Sequence, residues 1–141
     1  MKGKLGIADY PLSEKRPELV RGPRGKPLDD VTLDNLVAGG IGMEDLRITS
    51  AALGHQAEIA RAAGRPRLAE NFERAGELVD VPQDFILQVY ELLRPGRARA
   101  KADLLKVAAT LRTTYTAERL ARFVEEAAEV YDRRGLFTHR Y

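Results

Sequence analysis

The chain has 141 residues (15.7 kDa), 44% hydrophobic and 31% charged, a balance that excludes wholesale disorder and leaves room for one domain. It carries no cysteine and only two histidines, His55 and His139, which removes disulfides, thiolate nucleophiles and sulfur-bound zinc, and leaves little for a histidine-rich metal centre. Twenty-three basic residues face 21 acidic ones, a net charge of +2 that does not describe a protein built to coat nucleic acid, although the pI is about 9.0. No apolar run approaches a membrane span, and nothing near the start reads as a signal peptide, so a soluble intracellular chain is expected.

Four of the seven prolines and seven of the 12 glycines fall within residues 1–48. Proline lacks a backbone donor and glycine is entropically costly to hold, so Tyr10–Leu28 is expected to be extended and irregular. Its apolar residues, Tyr10, Leu12, Leu19, Val20 and Leu28, follow no clear period. Such a stretch is expected to be either disordered or laid across another surface that orders it. The first helical signal is Thr32–Ala38, capped by Thr32 and stopped by Gly39-Gly40, with a brief turn at Met43–Leu46. Thr49 or Ser50 caps a longer helix to Ala63, closed by Gly64, with Leu53, Ala57 and Ala60 on one stripe.

Arg67–Val79 places Leu68, Phe72, Ala75 and Val79 on one face, and Gly76 beside that line permits a close helix contact. Pro82 opens a helix to about Leu93 whose apolar residues cover most of its circumference, so burial from more than one side is expected, one side belonging to a partner. A break at Arg94-Pro95-Gly96 precedes a helix from about Ala98 to Arg112, with Leu104, Val107, Ala108 and Leu111 facing one way. The last helix, Ala117–Arg134, lines up Leu120, Phe123, Val124, Ala127 and Tyr131, and its other face pairs Glu118, Arg122 and Glu126, and Glu129 with Arg133. Each such pair contributes about 0.2–0.5 kcal/mol and marks a solvated face. With no period-2 alternation, the chain reads as all-α: five to six helices in a single domain over 1–141, an extended arm at 1–31 and a helical part at 32–141.

No catalytic constellation emerges. Asp29-Asp30, Glu44-Asp45 and Glu125-Glu126 are adjacent carboxylates in polar surroundings, whereas acid–base pairs need a shared water-poor cleft. His55 and His139 would have to converge from distant parts of the chain to bind a metal. Ser13 and Ser50 lie outside any Gly-x-Ser-x-Gly elbow. Gly22–Pro27 is too short for a phosphate loop and ends in proline where Ser or Thr is required; Gly39–Gly42 follows a helix, not a strand. The basic run from Arg94 to Lys101 lacks interleaved aromatics and reads as a solvated or partner-facing turn. A subunit or adaptor is favoured over a free-standing enzyme.

Tyr10-Pro11-Leu12, Pro17-Glu18, Gly25–Leu28 and Thr32-Leu33, followed by Glu44–Ile48, Gln56–Ala60, Asn71–Leu78, Val81-Pro82, Leu92–Pro95 with Arg97, and Val130-Tyr131, resemble the small (gamma) subunit of adenosylcobalamin-dependent diol and glycerol dehydratases. The matches run in order over nearly the whole chain. The resemblance implies a hydro-lyase that converts 1,2-propanediol or glycerol to an aldehyde by radical dehydration, assembled as a dimer of heterotrimers, a heterohexamer. Its large (alpha) subunit is a TIM barrel holding substrate and a cation, potassium or calcium, and adenosylcobalamin lies between large and medium (beta) subunits. The small subunit is then expected to supply no catalytic, cofactor-binding or metal-binding residue and to support assembly. Partner contacts are expected at Tyr10, Leu12 and Leu28 of the arm, at Phe85 and Tyr90 of the greasy helix, and at Arg94 and Arg97 beyond it. Nucleic acid and membrane are not expected partners.

Two features depart from the family pattern. Only nine residues precede Tyr10, without an amphipathic leader, so plain cytoplasm is expected over a bacterial microcompartment. Gly96 stands where an aromatic is usual. The competing readings are a helical DNA-binding regulator, disfavoured because the second helix of the 67–93 pair is mostly apolar, a stand-alone adaptor, and an independent small enzyme.

Overall fold

The computed structural model describes residues 3–138. Among them the regular elements are helical: α1 (Leu12–Lys15), α2 (Leu33–Val37), α3 (Ser50–Ala62), α4 (Pro66–Leu78), α5 (Gln83–Leu93), α6 (Lys101–Tyr115) and α7 (Glu118–Arg133), with 3₁₀ turns at Ile7–Asp9, Pro17–Leu19, Leu28–Asp30 and Met43–Leu46. The all-α expectation holds. Among the described residues no helix is long and apolar enough to cross a membrane. The chain divides into two compact units, Met1–Val79 and Asp80–Tyr141.

The first unit is built on the α3–α4 hairpin. Thr49 caps α3 by accepting the Ala52 N–H at 3.0 Å, while the neighbouring Ser50 hydroxyl donates to the Gly76 carbonyl of α4 at 2.9 Å. Gly64 turns the chain at φ +71°, a left-handed conformation that L side chains resist, and Pro66 then starts α4 where its missing donor costs nothing. The two helices meet through small residues: Ala57, Ala60 and Ala69 are buried, with Phe72 packed beside them. The face expected for α4 is therefore displaced by one position. Leu68 is exposed, and Ala69 holds the contact because a small side chain lets the two backbones approach.

The stretch expected to be an irregular arm is a succession of short turns, part of which is seated on α3. Leu5 and Leu12 are buried with Ile59, Leu19 and Val20 pack against them, and the Leu5 N–H donates to the Glu58 carboxylate at 2.9 Å. Amphipathic periodicity is invisible in pieces of three or four residues, although each can bury one apolar side chain.

The second unit has the denser core. Leu104, Val107, Ala108 and Leu111 of α6 interlock with Ala117, Ala121, Val124 and Ala128 along α7, and Val89 and Ala98 complete the cluster. The α6 face is as expected. On α7, Ala121 and Ala128 lie inside where Ala127 had been expected, and Phe123 is exposed. Helix α6 begins three residues later than expected because the Asp103 carboxylate accepts the N–H groups of Arg99 (3.0 Å) and Ala100 (3.1 Å) and fixes the helix start there. Tyr131 donates its hydroxyl to the Leu93 carbonyl, which ties α7 to the end of α5.

Candidate functional site

In the first unit, the turns between α1 and α3 enclose a groove of about 520 Å³. Its apolar lining includes Tyr10, Leu19, Val20, Leu28, Leu46 and Ile48. The groove keeps its shape through one buried carboxylate. Asp45 takes both Nε–H (2.8 Å) and a terminal N–H of Arg24, and also accepts the Gly42 N–H at 3.0 Å, with no side-chain surface left exposed. The Arg24 guanidinium, followed by the Gly42 N–H, holds the Asp45 carboxyl well below the usual carboxylate range, and the same pair raises Arg24. Gly22 lies directly against this turn, where a Cβ would run into the Asp45 carbonyl oxygen. The Gly22 N–H donates to the Lys26 carbonyl (3.1 Å) and an isolated bridge joins Arg21 to Pro27, so the rim is a defined hairpin-like loop.

Neither Arg24 nor Asp45 was singled out as a contact residue from sequence. Glu44-Asp45 reads there as a polar pair, and Gly22–Pro27 as a turn. A usable signal was the spacing from Gly42 to Asp45, an acid at the third position of a helical turn, where it can accept the preceding free N–H.

His55 on α3 lies between this groove and a second hollow of about 310 Å³ that also reaches Lys4, Arg16 and Glu58. Its Nδ1 is buried and has no hydrogen-bond partner among the described residues. His139 lies outside the described residues. Among the described residues no group of three His, Asp or Glu stands close enough to hold a metal ion.

Of the expected contact residues, Tyr10 and Leu28 line the groove together and are exposed, Tyr10 at 60%. Leu12 lines it as well but is only 6% exposed: Leu5 and Ile59 of its own chain cover it, so it is a core residue of this unit. The remaining four belong to the second unit. Phe85 is half-buried, its ring 5.4 Å from that of Tyr115, and acts as an inner support of α5. Tyr90 is 61% exposed, and Leu87, three residues earlier on the same helix, is exposed too. Arg94 pairs with Glu91 one turn back at 3.1 Å. Arg97 is exposed in the turn after α5. Helix α5 thus has a covered side, centred on Val89, and an apolar side that its own unit leaves open.

The ionic groups of the second unit form surface networks. Arg112 bridges Glu118 (2.7 Å) and Glu125 (2.6 Å), which pull its pKa up and are themselves lowered by it. Glu118 also takes Arg122 (3.0 Å), as expected, whereas Glu129 pairs with Lys101 (2.6 Å). These groups are locked in mutual ion pairs on a solvated surface, which suits helix packing.

A protein-family model described as the dehydratase small subunit matches residues 5–138, and the chain belongs to that family. Similar proteins include the propanediol dehydratase small subunits of Citrobacter freundii and of Salmonella typhimurium. Each is 49% identical over 125 residues, a match covering 89% of this chain and 72% of the relative.

Proposed function

We propose that this chain is the non-catalytic small subunit of an adenosylcobalamin-dependent propanediol or glycerol dehydratase in the cytoplasm, and that it supports assembly with a large and a medium subunit as a dimer of heterotrimers. The observation that carries the reading is the amount of apolar side chain left uncovered in a member of this family. Leu33, Val37, Met43 and Ile48 in the first unit, and Leu87 and Tyr90 in the second, are exposed. Large apolar side chains left exposed on a folded chain are available to a partner, which supports the subunit reading.

Bound to its partners, the cofactor would supply the radical that initiates dehydration. On this reading its seat lies on the partner subunits. Hollows of about 520 and 310 Å³ suit a small ligand rather than a corrin with its adenosyl group, and the buried carboxylate beside the larger one is already saturated by Arg24 and Gly42. The role assigned to the chain is therefore to bind, cover apolar surface and hold the larger subunits in place.

Co-expression with candidate large and medium subunits tests this. A single species of heterohexameric size, with cobalamin-dependent aldehyde formation that falls when this chain is withheld, is the expected result. Turnover of propanediol or glycerol by this chain alone with adenosylcobalamin, or failure to co-purify with either partner, overturns it.

A further inference from the structure

The groove of the first unit combines an apolar lining with charge of one sign. Its carboxylate, Asp45, is enclosed and neutralised by Arg24. The cations on the rim are less closely paired. Arg21 donates to two backbone carbonyls, those of Glu18 (3.1 Å) and Gly25 (2.8 Å), which orient the guanidinium, and it forms no ion pair among the described residues. Lys26 forms no ion pair among the described residues, and Arg47 has only Glu44 of its own turn, at 3.4 Å. The same groove is lined by Tyr10, Leu28, Leu46 and Ile48, all large, apolar and exposed.

We propose that this groove receives an apolar segment flanked by carboxylates, supplied by the large subunit of the dehydratase. The inference rests on the small-subunit reading above and adds to it the surface used and the chemistry of the segment it accepts. Apolar side chains of the segment fill the space against Leu46 and Ile48, while its acids meet Lys26, Arg21 and Arg47 at the rim. Complementary charge sets register and speeds encounter, and apolar burial supplies the affinity. The clamp at Asp45 and the tight approach at Gly22 hold the rim in shape beforehand, so little ordering entropy is lost on binding. A second copy of this chain suits the groove poorly. A two-fold contact through it would bring Lys26, Arg21 and Arg47 against the same cations of the other copy.

Two variants of the full chain, each co-expressed with the large subunit, provide the test. The double reversal Lys26→Glu with Arg47→Glu changes the rim charge and leaves Asp45 and Arg24 untouched. Ile48→Asp places a charge in the apolar lining. Circular-dichroism melts of the isolated variants check that each still folds. The expected result is capture of the large subunit by the wild-type chain, reduced about tenfold or more by either variant, the equivalent of about 1.4 kcal/mol. Capture by the wild-type chain should also weaken as salt is raised. Folded variants that capture as much large subunit as the wild type overturn the groove assignment and leave the small-subunit reading standing. Variants that lose self-association on a size column, with capture unchanged, overturn it in favour of a second copy. A wild-type chain that captures no large subunit overturns both.

Discussion

The two units of this chain are stabilised in different ways. In the second, α6 and α7 bury a continuous row of side chains, with Leu104, Leu111 and Val124 almost completely enclosed. In the first, burial is divided between two small clusters, one around Leu5, Leu12 and Ile59 and one of alanines between α3 and α4. Polar ties make up the rest: Arg24 with Asp45, Glu58 with the Leu5 N–H, Ser50 with the Gly76 carbonyl, and Arg61 with Glu73 at 3.0 Å. A helical hairpin with a full apolar seam can afford exposed ionic networks on its outside. A unit of short turns has too little apolar surface facing inward, so its large side chains remain on the outside where a partner can use them.

If that contrast is right, truncation should cost most in the second unit. Leu104→Ala is expected to destabilise it by about 2–5 kcal/mol, since it removes a fully enclosed side chain from close-packed surroundings. Urea unfolding followed by residue-resolved hydrogen exchange reads the loss, and a cost under about 1 kcal/mol would break the comparison. Ile59→Ala should fall at the low end of the same range, about 2 kcal/mol, because its cluster is small and open to collapse around the gap.

Gly22→Ala sharpens the contrast from the polar side. The added methyl meets backbone, which cannot swing away, and about 1–3 kcal/mol of strain is expected in the first unit, with the Arg24–Asp45 pair loosened. Loss of protection at the Gly42 amide is the measurement. The smallest effect near neutrality is the pH dependence. Arg24 and the Gly42 N–H depress the folded-state pKa of Asp45, so the unfolded chain binds its proton first as acid is added. This contribution is fully present above the ordinary carboxylate range and is lost as pH falls through the lower folded value. Acid titration should therefore weaken the wild-type first unit more steeply than it weakens an Asp45→Asn variant.

The helices of 13 residues or more were legible because period carries over several turns. The face of α6 follows directly from Leu104, Val107, Ala108 and Leu111, and all four are buried. Where two helices touch through alanine, hydrophobic weight misleads. Phe123 and Leu68 outrank Ala121 and Ala69 on any hydrophobicity scale, yet the alanines lie inside because backbone proximity, not side-chain size, decides those contacts. On α5 a nearly all-apolar circumference does not say which residues its own unit covers and which, like Leu87 and Tyr90, it leaves exposed. The groove was least legible. Tyr10 and Leu28 were in view, but the residues that shape it, Gly22, Arg24 and Asp45, act through an ion pair 21 positions apart in the chain. Local pattern cannot reveal a long-range pair between residues that each look like ordinary surface.

Asp45 also gives the groove a clock. While its carboxylate holds the Gly42 N–H, that amide can trade its proton for solvent deuterium only when the Met43–Leu46 turn lifts away from Arg24. The lifetime of one backbone proton thus reports how often the rim opens in the free chain. A segment seated between Lys26 and Ile48 would slow that exchange without touching the amide itself, so occupancy can be followed residue by residue in the intact assembly.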